Sequence, residues 1–516
     1  MLILNRFRWV ACQLDILRRL TTEAAIYEAL GNLPKTLDET YERILLGIPE
    51  CNRQFAKRAL QWMSYPDRLN GTYFSSAALA AAVTMPCRDG DLRWENQLLD
   101  ISDLQDICTC LAEIPEVGYE DDDLYFLYNK KGRLSHYTVK EFLISDRIQQ
   151  GPASYFHISQ KSTLSLLAET VIGFLLHFDP VDIGYSSDTS KEAWHRFQRP
   201  AKGSENRTRI LTLSAFYAFS IGGWPKLVKN FDDEGGGQEV FGLLFDLLDP
   251  RRPDFEQFRD SSNTAADDHT AVPDWMLDES NWAKIILLSL VFLGLPRAAI
   301  EWLKRNNSLK LNNPYIKRQN TYGIRDDYID CPFLLACDRG LVDLIRYCIV
   351  EGRVDYDNRD EDDNVCPMGL IVGSDMPTSD ICDLVQLMVS FGAKVNPVPD
   401  HVAFTPLQIA VGWHAPRRIS VTRLLLQCGA DPNVRGLGEW NSDTSRFWDS
   451  CGGLPFEVAR NELRPRHPKE DKSIQQEVID LLLQFGAREE LLDTSSGESS
   501  NQDAMETDSD LDLTDS

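Results

Sequence analysis

The sequence has no Gly-Lys dipeptide, no C-x-x-C pair and no H-E-x-x-H, and it is short of positive charge. A phosphate-binding loop of the form G-x-x-x-x-G-K-[ST] holds nucleotide through backbone N–H groups and its Lys, so this chain encodes none. Zinc wants ligands paired at short spacing. The closest of the 12 cysteines are Cys108 and Cys110, as C-T-C, and the cysteines read as buried reduced thiols. The eight His are single and dispersed. The stretch G-Y-S-S-D at Gly184 lacks the second Gly of a nucleophile elbow. The expectation is therefore a chain that is not an enzyme, with no cofactor and no metal.

Lys and Arg number 53 against 79 Asp and Glu, a net charge of −26. The segment 489–516 holds ten acidic residues and no basic one, and without it the chain still carries −16. Nucleic-acid binding needs clustered Lys and Arg to displace counterions, and anionic membranes need the same; neither partner is expected. The longest apolar run, Ile285–Leu295, falls well short of the ~20 residues of a membrane span and is followed by Pro296. No secretory signal is visible, since charge follows "MLIL" at once. These features read as a soluble, cytoplasmic protein. Its 516 residues allow roughly three or four domains.

What is present is recurrence. Gly352, Gly392, Gly429 and Gly486 are preceded by "DLIRYCIVE", "DLVQLMVSF", "SVTRLLLQC" and "EVIDLLLQF". Apolar residues or conservative replacements (Thr422 is one) sit seven, five, four and three places before each Gly; seven and four, with three and eight, form the stripe of an amphipathic helix, and Gly supplies the left-handed residue that ends it. A fainter copy, "RAAIEWLKR", ends at Asn306, the next-best residue for that conformation. Upstream of each Gly stands "CPFLLAC", "CPMGLIV", "TPLQIAV" or "LPFEVAR". Pro suits the first turn of a helix, and Thr405 is placed to cap one. Each unit thus reads as helix, tight turn (at Gly340 in the first), helix, Gly and polar loop.

The stretch "TPLQIA…VTRLLLQCGADPNV" resembles the ankyrin repeat, T-P-L-H-x-A followed by L-L-L-x-x-G-A-D-x-N, with Gln408 in place of the usual His. The other units are degenerate. Their Pro positions 332, 367, 406 and 455 are 35, 39 and 49 residues apart against about 33 in the family. The surplus loops out, as in "NELRPRHPKEDK". The resemblance implies a protein partner held on the repeat surface. Asp400, His401, Trp413 and His414 are the candidate contact residues; for Trp413 and His414, covering the groove is the alternative.

The first third reads as helices over Phe7–Leu20, Asn32–Leu45, Cys51–Tyr65, Ser75–Met85 and Asp103–Ile114. A strand at Asp123–Tyr128 and a strand, turn and helix over Gly132–Leu143 follow. Three helices followed by a hairpin are the order of a winged-helix domain. Trp9, Val10, Leu14, Ile16 and Leu17 are the expected apolar face of the first helix. His136 reads as packed or capping, Glu120–Asp123 as a solvated loop, Gly242–Asp249 as amphipathic helix, and Arg259–Asp274 as a surface linker.

"FRWVACQLD", "LPKTLDETYERIL", "FAKRALQWM" and "HYTVKEFLISDRI" resemble successive blocks of large fungal NACHT–ankyrin proteins. There an NTP-binding NACHT module precedes an inositol-deacylase-type winged-helix domain, a helical connector and ankyrin repeats. By that resemblance the chain corresponds to the C-terminal half, without the NACHT module. The expected fold is mainly α. Residues 1–33 would end a helical arm, 34–150 form a winged-helix domain and 151–280 a helical connector. Residues 281–490 would form an ankyrin solenoid of four to five degenerate repeats, and 491–516 a disordered acidic tail. The expected function is a protein-interaction scaffold or sensor with the winged helix as a regulatory packing domain. The alternative is part of an NTP-driven signalling switch whose nucleotide module lies elsewhere. Oligomeric state does not follow from the sequence.

Overall fold

A computed structural model describes residues 2–18, 20–65, 68–69, 72–85, 101–115, 131–178, 207–265, 282–309, 311, 331–354, 356, 366–396, 404–412, 417–435, 454–460 and 472–488. The described chain is mainly helical, and its strands are two-residue segments. It divides into two units, Met1–Asp360 and Glu361–Ser516.

The first unit opens with α1 (Leu2–Arg18), α2 (Glu23–Gly31), α3 (Leu37–Leu46) and α4 (Glu50–Ser64). Thr36 caps α3, accepting from Glu39 N at 3.1 Å, and Asp38 and Glu39 favour its positive end. In α4, Ala56, Ala59, Leu60 and Met63 are buried at helical spacing. They face α5 (Ser76–Thr84) and α6 (Ile101–Cys108). Every residue of α5 is buried. Its sequence, S-A-A-L-A-A-A-V-T, explains why: small side chains let neighbouring backbones approach closely.

A short hairpin, β1 (Arg68–Leu69) with β2 (Thr72–Tyr73), joins α4 to α5; it and α2 are absent from the expectations above. After α6 a 3₁₀ turn (Thr109–Leu111) leads into β3 (Ala112–Glu113), which pairs antiparallel with β4 (Arg133–Leu134). Then come α7 (Tyr137–Leu143) and α8 (Asp146–Gln150). The strand expected at Asp123–Tyr128 and the acidic run Glu120–Asp123 lie outside the described residues.

The expected face of α1 needs correction. Val10 and Leu14 are exposed, while Cys12 and Gln13 are buried. Gln13 Nε2 donates to Thr40 Oγ1 of α3 at 2.9 Å, and a satisfied buried amide is tolerated in a helix interface. The helix also starts earlier than Phe7.

Next come α9 (Gln160–His177), α10 (Arg207–Asp233), α11 (Gln238–Leu247) and α12 (Phe255–Ala265). Aromatic rings bind α10 to the preceding helices. Phe219 and Trp62 both lie 4.7 Å from Phe74, and Phe174 lies 4.8 Å from Phe216. Such pairs add about 0.5–1.5 kcal/mol each beyond their buried area. The reading of 242–249 as helix holds over α11. Arg259–Asp274 is not all linker: α12 covers 259–265, because Phe255 and Phe258 anchor it in the core and Trp224 Nε1 donates to Ser262 Oγ at 3.1 Å. The rest of that stretch lies outside the described residues.

The unit closes on two helix pairs, α13 (Trp282–Phe292) with α14 (Pro296–Arg305), and α15 (Pro332–Asp338) with α16 (Val342–Val350). First helices pack on each other, as do second helices. The second unit has three such pairs: α17 (Pro367–Gly373) with α18 (Thr378–Ser390), α19 (Pro406–Gly412) with α20 (Arg417–Gln427), and α21 (Pro455–Arg460) with α22 (Lys472–Gln484). Again α17, α19 and α21 form one row, and α18, α20 and α22 another.

Candidate functional site

The repeated unit is built from local chemistry. Pro opens α14, α15, α17, α19 and α21, where its missing N–H costs nothing. At α19 the cap is reciprocal. Gln408 N donates to Thr405 Oγ1 at 3.2 Å, and Thr405 N to Gln408 Oε1 at 2.7 Å. This is a capping box, so Gln408 in the His position keeps a structural role. At α21, Leu454 N donates to Glu457 Oε2 at 2.9 Å, half of the same device.

Second helices end as the glycines require. Gly352, Gly392, Gly429 and Gly486 have φ of 63°, 97°, 92° and 89°. At Gly429 the paired bonds run from Gly429 N to Leu426 O (3.1 Å) and from Ala430 N to Leu425 O (2.9 Å). This pattern turns the chain sharply and satisfies two terminal carbonyls. Asn306 departs from expectation. Its φ is −121°, because its side-chain amide donates to Trp302 O at 3.1 Å and caps the helix without a left-handed residue. The left-handed residue of that pair is Gly294 (φ 70°), between α13 and α14, as Gly340 (φ 66°) stands between α15 and α16.

Loops are tied unit to unit by asparagine. Asn396 Nδ2 donates to Gly429 O (2.8 Å) and its Oδ1 accepts from Asp431 N (2.8 Å). Asn433 does the same to Gly486 O (3.0 Å) and Arg488 N (2.9 Å). Each Asn lies four residues after its glycine, so one amide fixes the next loop. The pattern was visible in "GAKVN" and "GADPN", but what each Asn touches was not.

The predicted contact residues Asp400, His401, Trp413 and His414 lie outside the described residues. What the second unit does expose is a recurring apolar position just before each turn. Phe391 and Phe485 are 47% and 39% exposed, and Cys428 between them is half-buried. The spacing to Gly could have revealed this position, which lies one place before it and outside the apolar stripe.

Among the described residues no cluster of three or more His, Cys, Asp or Glu could hold a metal ion, and no helix is long and apolar enough to cross a membrane. His136 caps α7, accepting from Thr138 N at 3.3 Å; burial and the nearby Arg8 lower its pKa. The thiols divide. Cys12, Cys108, Cys331, Cys337, Cys348 and Cys366 are buried, but Cys51 is exposed, against the expectation of buried thiols. Burial pushes Cys108 and Cys348 up to about 12.

A helix pair opened by T-P-L-Q, closed by a left-handed Gly and tied onward by Asn is an ankyrin repeat, and the sequence model of the ankyrin repeat matches residues 404–437. The chain therefore contains this repeat, whose class is one of protein-binding modules. It is 33% identical over 150 residues to the azaphilone pigments biosynthesis cluster protein L of Monascus ruber; these are 28% of this chain and 29% of that protein. The match thus spans under a third of the relative's length. A crystal structure of an ankyrin repeat domain from Acinetobacter baumannii AYE matches at 19% identity and a TM-score of 0.27, covering 39% of this chain and 82% of that one.

Proposed function

We propose that the chain is a protein-interaction scaffold whose degenerate ankyrin repeats, including the pairs α13–α16, present the binding surface. Residues 34–150 act as a winged-helix packing domain rather than a nucleic-acid reader. The observation that carries the reading is the tied repeat around 404–435. Stacked repeats make extended surfaces and need no chemistry to bind. The last three of the four helices there, α4, α5 and α6, followed by the β3–β4 pair, support the winged-helix reading. Exposed Phe391 and Phe485 are added to the candidate contacts, since aromatic residues anchor interfaces. The test is a quantitative pull-down from source-cell lysate with the full chain and with the double variant Phe391→Ser, Phe485→Ser. Proteins bound by the first should fall at least about tenfold on the second, a loss of ~1.4 kcal/mol, with unchanged circular dichroism. If no protein distinguishes the two chains, this surface is not the binding face.

The third helix of a winged-helix domain is the one that enters a DNA groove. Here it is α6, "ISDLQDIC", with Asp103 and Asp106 and no Lys or Arg. The full chain is expected not to retain duplex DNA at physiological salt. A gel shift at sub-micromolar protein would overturn that expectation.

The chain is proposed not to be an enzyme. Lacking the phosphate loop, it should neither bind nor hydrolyse ATP or GTP by itself. Equilibrium dialysis with labelled ATP checks this; micromolar affinity would favour the switch reading instead.

A further inference from the structure

Where α4 ends, four hydrogen bonds close a ring around a cavity. Lys140 Nζ of α7 donates to Ser64 O at 2.9 Å. Asn230 Nδ2 of α10 donates to the Tyr65 hydroxyl. Gln160 Nε2 of α9 donates to Glu234 Oε1 at 2.7 Å. Ile158 N donates to Leu143 O, back on α7, at 2.9 Å. Bonds among α4, α7, α9 and α10 thus fix the walls relative to one another, beyond what apolar packing does. The space measures about 620 Å³ and is partly open, within the roughly 300–1,000 Å³ of small-molecule sites.

The ring uses only part of what its residues offer. An ammonium has three donors and a phenol both donates and accepts, so Lys140 keeps two N–H groups and Tyr65 keeps its own O–H. His157 and Asp233 also line the cavity, and among the described residues neither side chain is hydrogen-bonded or ion-paired. Ile144, Ile158 and Leu164 supply an apolar wall. Thr163 lines the same space and is 4% exposed, and its hydroxyl has no hydrogen-bond partner among the described residues. A buried hydroxyl in that condition calls for a partner that the chain itself does not supply. One cavity therefore presents a cation and an anion that are not paired with each other, beside an apolar surface.

We propose that this cavity is a binding site for a small zwitterion with an apolar body, an α-amino acid or dipeptide with both ends free. Asp233 takes the ligand's ammonium. Lys140 takes its carboxylate, with the Tyr65 hydroxyl and the His157 ring as further donors. Ile144, Ile158 and Leu164 cover the apolar side chain. The other ligand classes fit less well. A phosphate or other plain anion meets Asp233 and Glu234, and a plain cation meets Lys140; in each case a like charge opposes entry. A wholly apolar ligand would strip water from four charged or polar groups and pair none of them. A zwitterion satisfies both signs at once. The site is independent of the repeat surface and lies wholly within the first unit.

The test is isothermal titration calorimetry on the full chain with leucine and with leucyl-leucine, which separate the free amino acid from the peptide. At least one should bind one to one with a submillimolar Kd. Two capped probes follow, N-acetyl-leucyl-leucine without the ammonium and leucyl-leucinamide without the carboxylate. Each should bind at least about tenfold more weakly than leucyl-leucine, or not at all, a loss of ~1.4 kcal/mol or more. Asp233→Asn removes one charge from an exposed side chain, and unchanged circular dichroism should show that the variant folds. It should weaken the zwitterion about tenfold and leave the acetylated probe where it was. The proposal is overturned if neither zwitterion releases or absorbs heat up to about ten millimolar. It is overturned equally if capping both ends, or Asp233→Asn, leaves the affinity of the zwitterion's apolar body unchanged, since the charges would then play no part.

Discussion

Leu425→Ala should cost about 2–5 kcal/mol, the range for emptying a packed leucine site, while Gln427→Ala should cost under about 0.5 kcal/mol, as an exposed residue does. Leu425 is fully buried, four places before Gly429, and Gln427 two residues on is exposed. The buried residue lies in α20, which packs against α18 and α22. In a stacked array each unit is stable only with its neighbours, so the cavity should loosen α18 and α22 too. Hydrogen exchange on the full chain measures this helix by helix. Faster exchange across 378–390 and 472–484 in the leucine variant alone is the expected result. Equal, small effects of both substitutions would mean that the buried face has been misassigned.

Removing the carboxyl of Asp232 should be nearly as damaging, with a pH signature of its own. Asp232 ends α10 but caps α14: its Oδ1 accepts from Ala298 N at 2.8 Å and its Oδ2 from Arg297 N at 3.1 Å. The residue is fully buried. Asp232→Ala leaves one buried and one part-buried amide unpaired, at about 1–3 kcal/mol each with the lower end for the part-buried one, so a total loss of about 2–5 kcal/mol is expected.

Burial raises the folded carboxyl to about 6, against the amide bonds and Arg297, which lower it. The unfolded group titrates near its ordinary value of about 3.9. Between these values the folded chain holds the extra proton, so this group adds stability as pH falls from about 6 to 4 and loses it as pH rises. The full difference is about 3 kcal/mol. Asp232→Asn, which cannot titrate, should gain on the parent chain as pH rises from 4 to 7. Denaturant melts of both chains across that range check the sign. A constant difference between the chains would show that Asp232 does not titrate there.

The repeats were legible because their signals are local. Pro at a first turn, a left-handed Gly at an end and a stripe at helical spacing act within a few residues of the chain, so the sequence announces them. The same holds for Thr405 as a cap, and of the two roles open to His136, packed or capping, the structure shows the cap. The candidate contacts were less legible. Asp400, His401, Trp413 and His414 came from loop position alone, whereas exposed Phe391 and Phe485 stand one place before a Gly, where the sequence pattern assigned no face. Apolarity does not distinguish a residue that neighbours cover from one they leave open.

By itself, then, the sequence determined the helical class, the repeat register with its ankyrin unit, and the lack of a phosphate loop. Each depends on residue type and short spacing. Only the tertiary structure decided that α1 buries Cys12 and Gln13 rather than Val10 and Leu14, that Asp232 caps a helix 65 residues away, and that part of a polar linker is helix. Those outcomes depend on which surfaces meet. A buried polar group is stable only beside the partner that satisfies it, and no local pattern names a partner that distant chain segments bring.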